Sequence, residues 1–239
     1  MSSKNKFFLG TGISALLFVI AFTSIGFHTS ANSKSMEERF RVTAADKKLS
    51  KSETKGVYSI DKPHSYVGFR VKHMGLVEVP GSFKEFEGSI NFDSFKIKNS
   101  SVEFKANVKS VDTRVNGRDN HLRSKDFFEV VKYPEITFKS TRVKKRGRNK
   151  YRLYGDLTMK GVTRQVTIPF RIYGPIKDQR GRIKMGIQGE TSISRSAFNI
   201  TYGGTLPSGV RTISDRVTIE LQLETAMNSP KKSSPAGKD

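Results

Sequence analysis

Residues 116–134 read NGRDNHLRSKDFFEVVKYP and interrupt a chain that otherwise alternates between apolar and polar side chains. Apolar residues in this stretch recur at spacings nearer to three or four than to two, which is typical of a helix with one apolar side: Leu122, Phe127, Val130 and Val131. Ser124 can cap a second turn, and Pro134 ends any helix that reaches Lys132. The pattern predicts one or two short helices between strands. Their apolar side has only the interior or the open end of a sheet to pack on, so we interpret the segment as a lid.

The central region around this segment, residues 56–226, has a side-chain period of two, which is typical of strands with one buried face. Eight runs show it: Val67, Phe69, Val71; Phe86, Ile90, Phe92; Val102, Phe104, Ala106, Val108; Ile136, Phe138; Leu153, Leu157, Met159; Val166, Ile168, Phe170, Ile172; Ile183, Met185, Ile187, Ile193; and Val217, Ile219, Leu221, Leu223. Short turns such as Lys160-Gly161 and Gly174-Pro175 separate them, and such connections join antiparallel neighbours. We predict an all-β fold, an eight-stranded antiparallel lipocalin-like barrel with a short helical insert. A filled sandwich is the alternative.

A closed barrel would turn residues of one parity toward a shared interior, where they form the wall of a ligand pocket. The predicted wall consists of Val67, Phe69, Val71, Phe86, Ile90, Phe92, Val102, Phe104, Phe138, Leu153, Leu157, Val166, Ile168, Phe170 and Ile187. Arg118, His121 and Arg123 of the helical segment are predicted to form a polar rim, where cations would meet a phosphate head group. A helix surface that merely contacts solvent is the alternative for these three residues.

The two ends of the chain differ in composition from its middle. Residues 1–32 combine an N-terminal positive region with an apolar run and a small-residue cleavage site, which predicts a signal peptide and an exported, periplasmic protein. The apolar run is close to the minimum length for a membrane span, so an uncleaved N-terminal anchor is the competing interpretation. Residues 33–55 are predicted to be a polar linker, and residues 227–239 a disordered tail.

The sequence contains few features that are typical of an enzyme. It contains no cysteine, which excludes disulfides, thiolate zinc sites and cysteine nucleophiles, and it lacks the nucleophile-elbow, phosphate-loop and metalloprotease motifs. His64, His73 and His121 could meet at one end of a barrel, but they lie on separate elements without ligand-like spacing. We predict no catalytic residue, no metal site and no required cofactor.

The formal net charge of +21 raises the question of an anionic partner. Much of the basic excess alternates outward along the strands with acids interspersed, as on a solvated sheet face. Export would remove most nucleic acid from reach, so we predict no nucleic-acid partner. Anionic lipid head groups attract Lys and Arg near a membrane, and a membrane surface is therefore predicted as a partner, with plain solubility as the alternative.

Short motifs in a fixed order extend through most of this region: Tyr58-Ser59-Ile60-Asp61, Pro63-His64-Ser65 and Val67-Gly68-Phe69; Lys72-His73-Met74-Gly75; Gly81-Ser82-Phe83 with Phe86-Glu87-Gly88; Ser110-Val111-Asp112-Thr113; His121-Leu122-Arg123-Ser124 with Asp126-Phe127-Phe128; Tyr133-Pro134 with Phe138-Lys139-Ser140-Thr141; and Gly155-Asp156-Leu157-Thr158 with Gly161-Val162-Thr163. Together they resemble the YceI-like family of exported bacterial proteins. The resemblance implies a lipocalin-like barrel with a long apolar cavity that binds polyisoprenoids or similar amphiphiles, among them isoprenoid quinones.

One motif departs from the family. Where the family tends to have Arg, two residues and then Phe-Gly, this chain has Arg195, Ser196, Ala197, Phe198 and Asn199. Asn tolerates a positive φ better than most residues, so we expect the turn to be kept.

These observations predict an exported binding protein that holds a polyisoprenoid or isoprenoid quinone in its barrel for transport or storage. Two alternatives stay open: an enzyme acting on such a lipid, and an adhesion or stress-related surface protein whose barrel is filled. A homo-oligomer is compatible with the sequence.

Overall fold

The computed structural model describes residues 49–228. The predicted export segment, most of the predicted linker and nearly all of the predicted tail lie outside this range. Within it, one antiparallel sheet holds the strands β1 Gly56–Ile60, β2 Tyr66–His73, β3 Val77–Phe83, β4 Phe86–Phe92, β5 Ser101–Asn107, β6 Val111–Asp112, β7 Glu135–Gly147, β8 Lys150–Met159, β9 Val162–Lys177, β10 Ile183–Ser194 and β11 Ile213–Met227. Two helices accompany the sheet, α1 Lys51–Thr54 and α2 Asn116–Arg123. No helix in the described range is long and apolar enough to cross a membrane.

The sheet closes on itself because its first and last strands pair. β1 lies between β4 and β11, with Tyr58 opposite Met227 and Ile60 opposite Thr225. Three long strands are each broken into two pieces: β1 continues as β2 beside β11, β3 as β4, and β5 as β6 beside β3. Counted with these breaks joined, the chain forms eight long antiparallel strands in sequence order. The predicted eight-stranded barrel is confirmed, and the sandwich alternative is wrong.

Local features mark two of these breaks. Between β1 and β2, the 3-10 turn Lys62–His64 contains Pro63, which has no amide proton to donate to a sheet. Between β3 and β4, the amide of Glu85 donates to Ser110 Oγ at 2.9 Å. These interruptions let the strands bend while keeping their polar groups paired.

Apolar side chains fill both ends of the barrel. Tyr58, Phe92 and Met185 are buried together at one end, which we call the closed end. Phe198 and Ile200 are buried near the other end, beside the helical insert. Fully burying a side chain of this kind contributes roughly 1.5–3 kcal/mol, so these clusters secure the two ends and leave the middle of the barrel to a cavity.

The insert contains one helix rather than two. After α2, residues 124–132 form successive turns, and Glu129 has a left-handed φ of 53° that a helix cannot accommodate. Ser124 does act near this point, because its Oγ accepts the amide of Asp126 at 3.3 Å and its carbonyl accepts the amide of Glu129 at 2.8 Å. The predicted capping residue is therefore present, but it caps turns.

The predicted linker ends earlier than residue 55. Ser50 and Glu53 form a reciprocal capping box that starts α1. Thr54 is buried, and its carbonyl accepts the Tyr58 hydroxyl proton at 2.8 Å. The last linker residues thus pack against the closed end. At the other terminus β11 extends to Met227, one residue into the predicted tail.

Candidate ligand cavity

A cavity of about 230 Å³ lies inside the barrel. Its wall reaches from Phe92, Ile172 and Met185 near the closed end to Leu122 and Ile213 near the insert. Aliphatic and aromatic side chains make up most of the wall, and its polar residues are Ser100, Glu103, Thr191 and Arg195. The wall therefore suits an apolar ligand with few polar groups.

The structure places the predicted wall residues in the cavity wall with one exception. The exception is Phe86, which is buried among Val67 and Ala106 and stacks on Phe104 with ring centroids 6.2 Å apart. Phe86 directly follows the break between β3 and β4, so it packs within the wall instead of facing the open space. The alternation of apolar and polar residues identified which side chains point inward. It could not show that the strand bends just before Phe86.

The predicted wall left out the alternating residues of β11, which line the cavity: Val217, Ile219, Leu221 and Leu223. It also left out the part of the wall that does not come from regular strands. Leu122, Phe127 and Phe128 of the insert face the cavity, as does Ile200 after β10. The helical spacing in the insert indicated an apolar side and a sheet interior as its packing partner. It did not indicate that these side chains would contact a ligand space.

The predicted polar rim is not part of the cavity wall. Arg118 donates to Thr113 Oγ1 and to the Thr113 carbonyl at 2.7 and 2.8 Å. Arg123 donates to the carbonyls of Lys109 and Val111, both at 2.8 Å. Both guanidinium groups fasten α2 to the segment that precedes it. These contacts give both arginines a structural role, and the contact of the rim with a ligand head group stays a prediction.

His121, the third predicted rim residue, lies in an aromatic cluster. Its ring contacts those of Phe127 and Tyr202, with centroids 5.0 and 4.6 Å away. Its Nε2 is 2.9 Å from Asp126 Oδ2. The cluster connects the insert to the loop between β10 and β11.

Arg195 is the buried cation of the cavity wall. Its side chain is 5% exposed, and its nitrogens donate to the carbonyls of Ser214 at 3.0 Å, Ile200 at 2.9 Å and Ile213 at 3.3 Å. No ion pair joins it to a carboxylate within residues 49–228, although Asp215 lies near enough to favour its charge. Burial lowers the pKa of its guanidinium, but arginine stays protonated in proteins. A positive charge therefore adjoins an otherwise apolar space.

The turn after Arg195 is kept despite the departure from the family motif. Asn199 adopts a left-handed φ of 59°, as expected where the family tends to have glycine. The amide of Ile200 then donates a hydrogen bond to the Arg195 carbonyl at 3.2 Å. This turn places Ile200 and the arginine side chain at the same end of the cavity.

The structure brings together one set of metal-ligand atoms in the described range, from Asp61, His64 and Glu224. The ammonium group of Lys184 contacts both carboxylates of this set, and lies 3.2 Å from Asp61. The positive charge of this ammonium group already compensates the negative charge of the two carboxylates. His73 and His121, which the sequence grouped with His64, do not belong to this set.

Comparison with known proteins agrees with this architecture. The sequence model of the YceI-like domain matches residues 58–225. A UPF0312 protein of Photorhabdus laumondii is 42% identical over 144 residues, which are 59% of this chain and 74% of that protein. A UPF0312 protein of Yersinia pestis is 41% identical over 146 residues, 60% of this chain and 76% of that protein.

Solved structures show the same fold. BcnA of Burkholderia cenocepacia superposes with a TM-score of 0.62 at 29% identity, covering 69% of this chain and 98% of its own. The YceI protein of Campylobacter jejuni gives 0.59 at 32% identity, covering 71% and 97%. A polyisoprenoid binding domain from Saccharophagus degradans gives 0.54 at 15% identity, covering 73% and 100%, and shares the fold.

Proposed function

This chain belongs to the family of YceI-like domains, and we propose that it binds a long-chain amphiphile, a polyisoprenoid or an isoprenoid quinone, inside its barrel. The observation that carries the proposal is the elongated cavity with an almost entirely aliphatic and aromatic wall. The Saccharophagus degradans domain of the same fold is named for polyisoprenoid binding, which supports the same ligand class here.

The physical chemistry of such a ligand favours a carrier or storage role. Moving a chain of about 40 carbons out of water would release on the order of 30 kcal/mol at roughly 0.8 kcal/mol per methylene, more than the strongest known noncovalent affinities. The ligand therefore resides in a bilayer, and transfer from there into an apolar barrel changes its surroundings little. Near-balanced transfer permits both loading and release.

The buried guanidinium gives the ligand an orientation. We place the polar end of the amphiphile at Arg195 and its chain along the cavity toward Phe92 and Met185. Three of the five N–H groups of Arg195 are used by carbonyls, and a quinone oxygen or a phosphate can accept from the others.

The place of action follows from the sequence of residues 1–32, whose pattern is that of an export segment. We propose that the barrel works outside the cytoplasm, either free after cleavage or held by an uncleaved anchor. Carriage between membranes suits the first case, and storage or local exchange at one membrane suits the second.

An enzyme acting on the same lipid is the second candidate, and the polar wall residues speak against it. Ser100 Oγ accepts the amide of Asp93 at 2.9 Å, and the Glu103 carboxylate lies 3.3 Å from Lys139 on the outer face. Thr191 Oγ1 donates to the Thr167 carbonyl at 2.9 Å. A general acid or base would have to be one of these side chains, each of which already contacts another group of the protein.

The test is native mass spectrometry of the purified full chain, followed by solvent extraction of the bound material. Val166→Trp should displace the ligand because it enlarges a side chain in the cavity wall, whereas Gln165→Trp adds the same side chain to the exposed outer face. We expect extractable amphiphile in the natural chain and in Gln165→Trp, and much less in Val166→Trp. Extracts without amphiphile, even after incubation with isoprenoid-containing vesicles, would favour the filled-barrel alternative. Chemical conversion of an added isoprenoid would favour the enzyme.

A further inference from the structure

The hairpin between β2 and β3 ends in exposed apolar side chains. Leu76 is 78% exposed and Val77 is 59% exposed. The Leu76 amide donates to the His73 carbonyl at 2.9 Å, and the intervening Met74 and Gly75 have φ values of 51° and 71°. Two successive positive φ values define a tight turn that matches the twist of paired strands. The turn therefore holds these apolar side chains outward.

A second loop contacts this hairpin. The Met74 amide donates to the Thr212 carbonyl at 3.0 Å, and Val210 Cγ1 lies 3.4 Å from the position that a Cβ on Gly75 would occupy. The loop is itself braced, since the Leu206 amide donates to the Val210 carbonyl at 2.8 Å. We define the apolar tip as the exposed apolar residues of the two loops: Met74, Leu76, Val77 and Val210.

The apolar tip continues the face of the sheet that forms the cavity wall. Val71 lines the cavity, and on the same face of the sheet the next pair toward the tip joins His73 to Val77. Directly opposite residues in antiparallel strands share a face. Ile213, which pairs with His73 from β11, also lines the cavity. The sheet face that carries the wall thus continues beyond the cavity to Val77, which is exposed to solvent and does not line the cavity.

Two cations lie beside the tip. Lys72 lies two residues before Met74 and Arg211 directly follows Val210, and neither forms an ion pair with any residue in the described range. The nearby carboxylate of Glu78 is already 3.0 Å from Arg70. Exposed apolar side chains bordered by unpaired cations complement a bilayer with anionic head groups, which attract each Lys or Arg near the surface.

We infer that the apolar tip inserts into the interface of an anionic lipid bilayer and brings this end of the cavity to the membrane from which the ligand enters. The identity of the ligand that enters rests on the proposed function. The contact between the apolar tip and the bilayer is a separate property of this surface. Insertion would place the apolar face from Val77 to Val71 between the acyl chains and the interior of the barrel.

The chain contains no tryptophan, so a single introduced tryptophan reports on one position. Leu76→Trp places the reporter on the tip. Ile176→Trp is the matched control: Ile176 is 59% exposed, like Val77, but it pairs with Lys184 at the opposite end of the barrel. The reporter is local, so a contact made by another part of the full chain does not affect the comparison.

With vesicles of phosphatidylcholine mixed with phosphatidylglycerol, we expect the emission of Leu76→Trp to shift to shorter wavelength and to be quenched by brominated lipids. Ile176→Trp should show neither change. Each replacement of Lys72 or Arg211 by Gln should weaken tip insertion about fivefold, the equivalent of about 1 kcal/mol per cation near an anionic surface, and added salt should weaken it further.

A second measurement separates this inference from the proposed function. Leu76→Ser combined with Val77→Ser should slow loading from vesicles several-fold while leaving the amount of amphiphile bound at equilibrium unchanged. An equal response of the two tryptophans, no response at Leu76→Trp, or a response that depends on protein concentration without vesicles would overturn the inference; the last would indicate a second copy of the chain as the partner. Tip insertion in a protein that binds no amphiphile would uphold the inference and reject the proposed function.

Discussion

Tyr58 shows how much one residue contributes to closing the barrel. It is fully buried, its ring meets that of Phe92 edge to face with centroids 6.2 Å apart, and its hydroxyl donates to the Thr54 carbonyl. The alternating runs identified in the sequence begin at Val67, so they did not include Tyr58. Its partner was not predicted either, because Thr54 was placed in a linker and is brought there by α1.

The burial of Tyr58 should make the folded state less stable at alkaline pH. Burial raises the pKa of Tyr58 to about 12, whereas an unfolded tyrosine titrates at about 10. The folded state therefore keeps a proton that the unfolded state loses, so stability is complete below pH 10 and is lost as the pH rises toward 12. Thermal unfolding between pH 8 and 12 should show the loss, and Tyr58→Phe should reduce it while costing about 1 kcal/mol at neutral pH for the missing hydrogen bond.

Tyr154 provides the control, because Arg146 lowers the pKa of its hydroxyl. Its ionisation stabilises the folded state at high pH, so Tyr154→Phe should not reduce the alkaline loss. A loss of the same size in Tyr58→Phe and in the natural chain would contradict the assignment.

Arg195 should select ligands by their head group. Geranylgeranyl phosphate and geranylgeraniol share one apolar chain, and we expect the phosphate to bind about 10- to 100-fold more tightly because a charge-assisted hydrogen bond contributes roughly 1.5–3 kcal/mol. Competition binding to the natural chain measures this directly. Arg195→Gln, checked for folding by circular dichroism, should abolish the preference. Equal affinity of the natural chain for the two ligands would argue against a head group at Arg195.

Among the elements, the helical insert shows where sequence reasoning succeeded and where it stopped. Spacing identified an apolar side and a packing position on the barrel, and Leu122, Phe127 and Phe128 are found there. The partners of Arg118 and Arg123 were not predictable, since backbone carbonyls carry no sequence signal. The broken strands were unpredictable for the same reason, because contacts such as Ser110 to Glu85 depend on tertiary structure.

Releasing the insert should accelerate ligand exchange. Arg123→Ala removes the hydrogen bonds to the carbonyls of Lys109 and Val111, so residues 116–134 should exchange amide hydrogens faster while β8 to β10 stay protected. Dissociation of a phosphate-headed ligand and of a quinone should accelerate alike, because the insert covers both.

Arg182→Ala, which breaks the exposed pair with Asp178, should leave exchange and dissociation unchanged. Weaker binding of the phosphate ligand alone in Arg123→Ala would restore the polar-rim interpretation.

At the scale of the whole molecule, the eight antiparallel strands followed from the period of two and from short turns, because those local features fix both the buried face and the antiparallel order. Closure into a barrel did not follow from them, since a sandwich has the same pattern; the resemblance to the YceI-like family implied it. The cavity wall followed from the same parity. The buried cation did not, since the burial of Arg195 depends on the loop that carries Ile200 and on the start of β11.

The pairing of β1 with β11 also sets an order of events in time. β11 is the last of the described strands to be synthesised, and both β1 and β2 pair with it. A chain ending at Thr212 should therefore carry two unpaired strand edges, associate into large species on size-exclusion chromatography, and yield no extractable amphiphile. A chain ending at Asn228, whose amide donates to the Val57 carbonyl, should remain intact, and a compact, ligand-bearing protein ending at Thr212 would refute this order. The cavity exists only after residue 227 has been made, so the ligand enters a finished protein and cannot act as a template on which the nascent chain folds.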